Sequence, residues 1–180
     1  MKKFELTTKS ITNEVGKKLF RIKALIDFGD VKAGELGGYV EKEGNVSQDD
    51  NAWVSGDAEV FGNAKVSDNA KVSGRAWVFG NARVSGDALI SGNAKVSGDA
   101  RVYDNADYAL VQGFGIKFRC TTFYRGKNEK IMVNCGCFHG DLEEFRKQVK
   151  ETRSGKIAKE YLMIADLMEY HFVSEDSGDE

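Results

Sequence analysis

Alanine recurs every six residues from Ala52 to Ala106, and a valine or isoleucine stands two residues after each alanine from Val54 to Val102. The units read AWVSGD, AEVFGN, AKVSDN, AKVSGR, AWVFGN, ARVSGD, ALISGN, AKVSGD and ARVYDN, followed by a fading ADYALV. A separation of two puts both aliphatic side chains on one face of a short strand, and the small alanine leaves room near a corner. The Gly-Asn or Gly-Asp pair that usually follows tolerates the left-handed backbone of a bend. A six-residue unit alone buries almost nothing, so the chain must wind and stack these units to make a core.

The pattern resembles the hexapeptide repeats of left-handed parallel β-helices, whose coils take three such units, about 18 residues. The resemblance implies a mainly β fold with three clear coils and an interior of stacked aliphatic ladders. Val40 and Val46 precede Ala52 at multiples of six, so an imperfect first coil is expected before the array becomes regular. That coil would serve as the N-terminal cap a repeat stack needs, because open coil ends expose unpaired backbone.

The flanks divide the remainder into a strand region at 1–35, the helix with its capping coil at 36–111, a small α+β domain at 112–174 and an acidic tail at 175–180. Phe4 and Leu6 suggest an initial strand, and KKLFRIKALIDFG, bounded by Gly16 and Gly29, suits strands better than a helix. IKFRCTTFY and KIMVNCGCF read as a hairpin across the turn RGKN. Asp141 followed by Glu144 predicts a capping box for a helix whose inward residues are Leu142, Phe145 and Val149. A last helix over roughly 156–173 carries Ile157, Tyr161, Ile164, Leu167 and Met168 at helical spacing. This domain is expected to cover the C-terminal end of the helix.

Lysine and arginine number 26 against 28 acidic residues, so the net charge of -2 argues against nucleic acid as a partner. No apolar run is long enough for a membrane span, and the polar start does not resemble a secretion signal. A cytoplasmic location is expected, with the three cysteines reduced.

With coils of 18 residues, the variable positions sort into columns. One holds Trp53, Lys71, Leu89 and Asp107; a second Glu59, Trp77 and Lys95, with Phe61 and Phe79 beside it; a third Lys65, Arg83 and Arg101, with Tyr103 at its edge. Phe61, Trp77 and Phe79 would form an exposed aromatic patch suited to an oligomer contact, to docking of the flanking domain or to a ligand platform. Lys65, Arg83 and Arg101 would form a ladder of positive charge able to meet phosphates or an acidic partner.

Signals for catalysis are few. Hexapeptide-repeat acyltransferases use a histidine and an inserted loop, and the array contains neither; the histidines are His139 and His171. No nucleophile elbow, P-loop or dinucleotide fingerprint is present, and no catalytic residue or cofactor is assigned. Alternation would place Cys135, Cys137 and His139 on one side of a continuing strand, with Cys120 across the hairpin, a weak candidate zinc set of unusual spacing. Buried or half-buried thiols are the competing reading.

Beyond the repeat, the order of segments resembles a group of phage and prophage proteins of poorly defined function. The phrases that carry this are DFGDVKAGELGGYVEKEGN from Asp27, the GNAxV hexads, TFYR from Thr122, IMVNCGCFHG from Ile131 and LEEF from Leu142. Cys137, Phe138 and Gly140 match the group's phrase, whereas His139 does not. The resemblance implies a phage-encoded protein acting in the host cytoplasm. Taken with the columns, the expected function is a non-enzymatic homo-oligomer, dimer or trimer, that binds a host or phage protein through rigid faces. The alternatives are a module sequestering a nucleotide or phosphorylated small molecule, through Lys65, Arg83, Arg101 and Tyr103, and an acyltransferase-like enzyme.

Overall fold

The computed structural model describes residues 2–172, so the acidic tail at 175–180 lies outside the described residues. The chain divides into two compact units, Met1–Asn105 and Ala106–Glu180.

The first unit is a parallel β-solenoid of about four coils. Strands β4 (Trp53–Val54), β7 (Lys71–Val72) and β10 (Leu89–Ile90) form one sheet, and β6 (Lys65–Val66), β9 (Arg83–Val84) and β12 (Arg101–Val102) a second. The third contains β5 (Glu59–Val60), β8 (Trp77–Val78) and β11 (Lys95–Val96). Within the array every strand pairs in parallel with the one 18 residues away, as in Trp53 with Lys71 and Lys71 with Leu89. The three expected columns are therefore real, save that Asp107 lies beyond the first unit. None of the array's alanines or valines from Ala52 to Val102 is more than 1 % exposed, nor is Ile90. Glycine is required where corners stack: Gly74 has φ +68°, and a Cβ there would stand 2.9 Å from the Gly92 nitrogen. Asparagine ladders tie the corners, Asn51 donating to Asn69 Oδ1 at 2.9 Å and Asn69 to Asp87 Oδ1 at 3.0 Å.

The N-terminal segment joins the third sheet. Strands β1 (Phe4–Thr12) and β2 (Lys18–Ala24) form an antiparallel pair, and β2 pairs with β3 (Leu36–Val40). Because β3 then pairs in parallel with β5, the sheet runs β1-β2-β3-β5-β8-β11. The first coil differs from the rest: Val40 pairs with Val60 and Val46 with Val66, twenty residues on in each case. The two extra residues fall between Val46 and Trp53.

In the second unit β13 (Tyr108–Phe114), β14 (Arg119–Arg125), β15 (Ile131–Cys135) and β16 (Phe138–Asp141) form an antiparallel sheet in that order. The stretch ADYALV, read above as the end of the array, supplies β13 instead of a further coil. Helix α1 (Leu142–Thr152) starts with the expected capping box: Glu144 N donates to Asp141 Oδ1 at 2.9 Å, and Asp141 N to Glu144 Oε2 at 2.8 Å. Phe123, Val133, Leu142, Phe145 and Val149 pack with Ile164, Ala165, Met168 and Phe172 of α2 (Gly155–Phe172). Leu167, expected to face inward, is 58 % exposed; Ala165 and Phe172 take the buried stripe. Arg146 ties the two helices through Asp166 and Glu169, at 2.9 and 2.6 Å.

The irregular first coil is held by Lys3 and Gln48. Lys3 Nζ, only 2 % exposed as a residue, donates to the carbonyls of Asp49, Asp50 and Ala52 at 2.9–3.2 Å. Gln48 accepts from the Lys3 and Phe4 amides and donates to the Phe4 carbonyl, acting as a strand partner for the start of β1. Burial lowers the Lys3 pKa to about 8, against the opposing pull of Asp50 and Asp49. In the unfolded chain lysine keeps its ordinary value of about 10.4. Between these values the unfolded chain holds more protons than the folded one, so stability rises with pH. The stability of the wild type relative to Lys3→Met should therefore increase from pH 8 toward 10.5, by at most about 1.4 kcal/mol per pH unit. Chemical denaturation across that range measures it, and a difference that stays flat contradicts it.

Candidate functional site

The basic column stands on the sheet of β6, β9 and β12, where register places Lys65 beside Arg83 and Arg83 beside Arg101. Lys65 and Arg83 are exposed and Arg101 is half-buried. Their strands are about 4.8 Å apart, so like charges share one column. Among the described residues no carboxylate forms an ion pair with any of the three.

Lys65 and Arg83 open into a cavity of about 640 Å³, which Tyr103 lines from the next coil. Arg101 does not line it. The rest of the lining comes from the first coil, through Glu43, Ser47 and Gln48, and from the corners at Asp68 and Ser85. Its two carboxylates already have partners. Glu43 pairs with Lys2 Nζ at 2.5 Å, and Asp68 accepts from the Gly86 amide at 3.0 Å. The cavity thus combines two cations outside any ion pair, serine hydroxyls, the Gln48 amide and the ring of Tyr103, which is 55 % exposed, with the Asp68 carboxylate leaving one negative charge beside them. Such a set can hold an anion: the cations supply charge-assisted hydrogen bonds and the ring a flat apolar surface. Sequence reasoning reached Lys65, Arg83 and Tyr103 through the coil period. It missed the contribution of the first coil, whose only trace is the polar run Ser47–Asn51 interrupting the hexads.

The aromatic patch is also brought together, but it is not wholly exposed. Phe61 and Phe79 stack with centroids 5.1 Å apart, and Trp77 meets both edge-on. Phe61 is only 5 % exposed because Leu19 of β2 and Tyr39 of β3 cover it, with Ile11 of β1 alongside. The expectation of exposure is corrected for Phe61, since an N-terminal hairpin added to this sheet brings its own apolar side chains over the ring. Trp77 and Phe79 remain half-buried, and Lys95 Nζ lies 4.3 Å from the Trp77 ring centroid. In the same column Glu59 accepts from Asn13 Nδ2 at 3.0 Å, and burial raises its pKa.

In the second unit the candidate zinc set does not assemble. Gly136, at φ +62°, begins a tight turn that reverses the chain, so that Cys135 pairs with Phe138 and Asn134 with His139. Cys137 sits exposed in that turn, and the strand alternation needed to align it with Cys135 and His139 is lost. Cys120 and Cys135 are half-buried and in no disulfide, Cys135 accepting from Thr121 Oγ1 at 3.1 Å. No group of three or more metal-binding side chains occurs among the described residues. His139 Nδ1 lies 2.8 Å from Asn134 Oδ1, and His171 is exposed near the end of α2. Among the described residues no helix is long and apolar enough to cross a membrane.

No protein-family model matches the chain, and no curated protein matches it.

These placements separate buried side chains from exposed ones. Phe61→Ala should destabilise the first unit by about 3 kcal/mol, as for a buried aromatic. Arg83→Ala, which removes an exposed like charge and no buried contact, should leave stability unchanged or raise it by up to about 0.5 kcal/mol. Thermal or chemical unfolding checks both; a neutral Phe61→Ala would mean that the hairpin does not cover the ring.

Proposed function

We propose that the protein is a non-enzymatic binding and scaffold protein, a left-handed β-helix that assembles as a homo-oligomer and engages an acidic partner through its basic column. The observation that carries this reading is the stack of Lys65, Arg83 and Arg101, like charges at strand spacing with no ion-pair partner among the described residues. Holding like charges together costs stability, which a negatively charged occupant recovers. Rigidity helps, since groups fixed on a hydrogen-bonded stack lose little freedom on binding. The half-open rings of Trp77 and Phe79 support the oligomer contact. Resemblance of the sequence to phage and prophage proteins points to a phage-encoded protein acting in the host cytoplasm on a host or phage partner.

A second reading is capture of a nucleotide or other phosphorylated small molecule. The cavity favours it: about 640 Å³ lies within the range of small-ligand sites, and Tyr103 beside two cations suits a base next to its phosphates.

Native mass spectrometry after incubation with a bacterial host lysate tests the proposal, comparing the wild type with the triple variant Lys65→Glu, Arg83→Glu, Arg101→Glu. The expected result is a homo-oligomer that gains a discrete protein mass in the wild type and not in the variant. A charge-sensitive gain of only a few hundred daltons would replace the leading reading by the second. A monomer would remove the oligomeric part, and a gain unaffected by charge reversal would overturn the role of the basic column.

A further inference from the structure

The second unit contains a cationic cavity of its own. About 290 Å³ in volume, it is lined by Ile116, Lys117, Arg119, Cys135, Arg153 and Tyr161. A smaller cavity of about 170 Å³ shares Arg119, Cys135, Arg153 and Tyr161 with it, and no carboxylate lines either one.

The two arginines are each delivered by a defined element. Arg119 begins β14, and its side chain lies over the bare face of Gly136, where any Cβ would collide with the guanidinium. Arg153 caps the C-terminus of α1, its amide donating to the Val149 carbonyl at 2.9 Å. Tyr161 stands on α2, edge-on to Phe145, and its phenol interacts with the Cys135 thiol. Its hydroxyl donates to the Phe114 carbonyl at 3.4 Å, and burial, then that thiol, raises its pKa.

The contrast with the other arginines of this unit is informative. Arg146 is paired with Glu143, Asp166 and Glu169, and Arg125 with Asp107 and Glu129. Among the described residues none of Lys117, Arg119 and Arg153 has an acidic partner. Arginines that hold the unit together are neutralised, while three cations around one cavity are not. Such an arrangement leaves a local positive potential that a multiply charged anion would offset.

We propose that this cavity binds a small phosphate-bearing anion, with Arg119 and Arg153 gripping its oxygens, Lys117 adding a third cationic donor, and Cys135 and Tyr161 lining the site beside it. Guanidinium forks match phosphoryl oxygens, and the volume suits a diphosphate or a short phosphorylated metabolite better than a macromolecule. The site belongs to a different unit from the basic column and does not depend on that reading.

The test uses the full chain carrying Lys65→Ala and Arg83→Ala, so that binding at the solenoid cavity cannot be mistaken for it. Pyrophosphate is titrated by calorimetry, and alkylation of each cysteine by iodoacetamide is followed by peptide mass spectrometry. Saturable binding that slows alkylation of Cys135 and spares Cys120 is the expected result. Adding Arg119→Ala or Arg153→Ala should weaken binding about tenfold or more without moving the thermal midpoint; both side chains are exposed, so the fold does not need them. No saturation by about 10 mM, or unchanged affinity in both arginine variants, would overturn the site. Citrate binding as tightly as pyrophosphate would overturn the phosphate assignment.

Discussion

Everything in the first unit hangs on one backbone ladder, in which each coil donates to the next at a fixed interval. Trp53, Glu59, Lys65 and Lys71 send their amides to the carbonyls of Ala70, Ala76, Ala82 and Ala88 at 2.9–3.0 Å. That interval decides which side chains become neighbours. Inside, it stacks alanine on alanine and valine on valine, so a weakly hydrophobic hexad becomes a dry core once repeated. Outside, it turns scattered residues of the sequence into columns, which is how Lys65 comes to stand beside Arg83.

A ladder of this kind leaves unpaired backbone at its ends. At the N-terminal end the protein meets the problem twice. The β1–β2 pair adds antiparallel strands to one sheet through β3, and Gln48 with Lys3 satisfies the backbone of the longer first coil. Both devices bear on the candidate site. The hairpin covers Phe61 and leaves Trp77 and Phe79 half open, while the first coil, widened by two residues, supplies one side of the basic cavity. Structural closure and the shape of the site have the same origin.

Much of this was legible in the sequence, because the signals were local or periodic. The hexads implied the coil, the coil implied the columns, and Asp141 with Glu144 marked the start of α1. What escaped depends on long-range pairing. Nothing in LFRIKA says that it will lie over Phe61, because that contact is made through β3. The placement of Cys135, Cys137 and His139 failed for a different reason: Gly136 can either continue a strand or reverse it, and alternation holds only in the first case. The register of α2 slipped similarly, since Ala165 gave a weaker apolar signal than Leu167 but sits against the sheet. Arg119, Arg153 and Tyr161 carry no motif at all, and they meet only because a strand, a helix end and a second helix converge.

The two cavities share a logic: cations are gathered by backbone geometry and, among the described residues, left outside ion pairs. In the solenoid that gathering rests wholly on the 18-residue period, which a disulfide can read directly. In a background with Cys120, Cys135 and Cys137 replaced by serine, the pair Lys65→Cys and Arg83→Cys would place two thiols on adjacent parallel strands, within the Cα separation a disulfide needs, about 4.4–6.8 Å. The account predicts rapid and near-complete cross-linking of this pair under mild oxidation. The offset pair Lys65→Cys and Leu89→Cys, on different faces, should remain reduced. Equal cross-linking of the two pairs, or none in the first, would contradict the stacked coil and the basic column built on it.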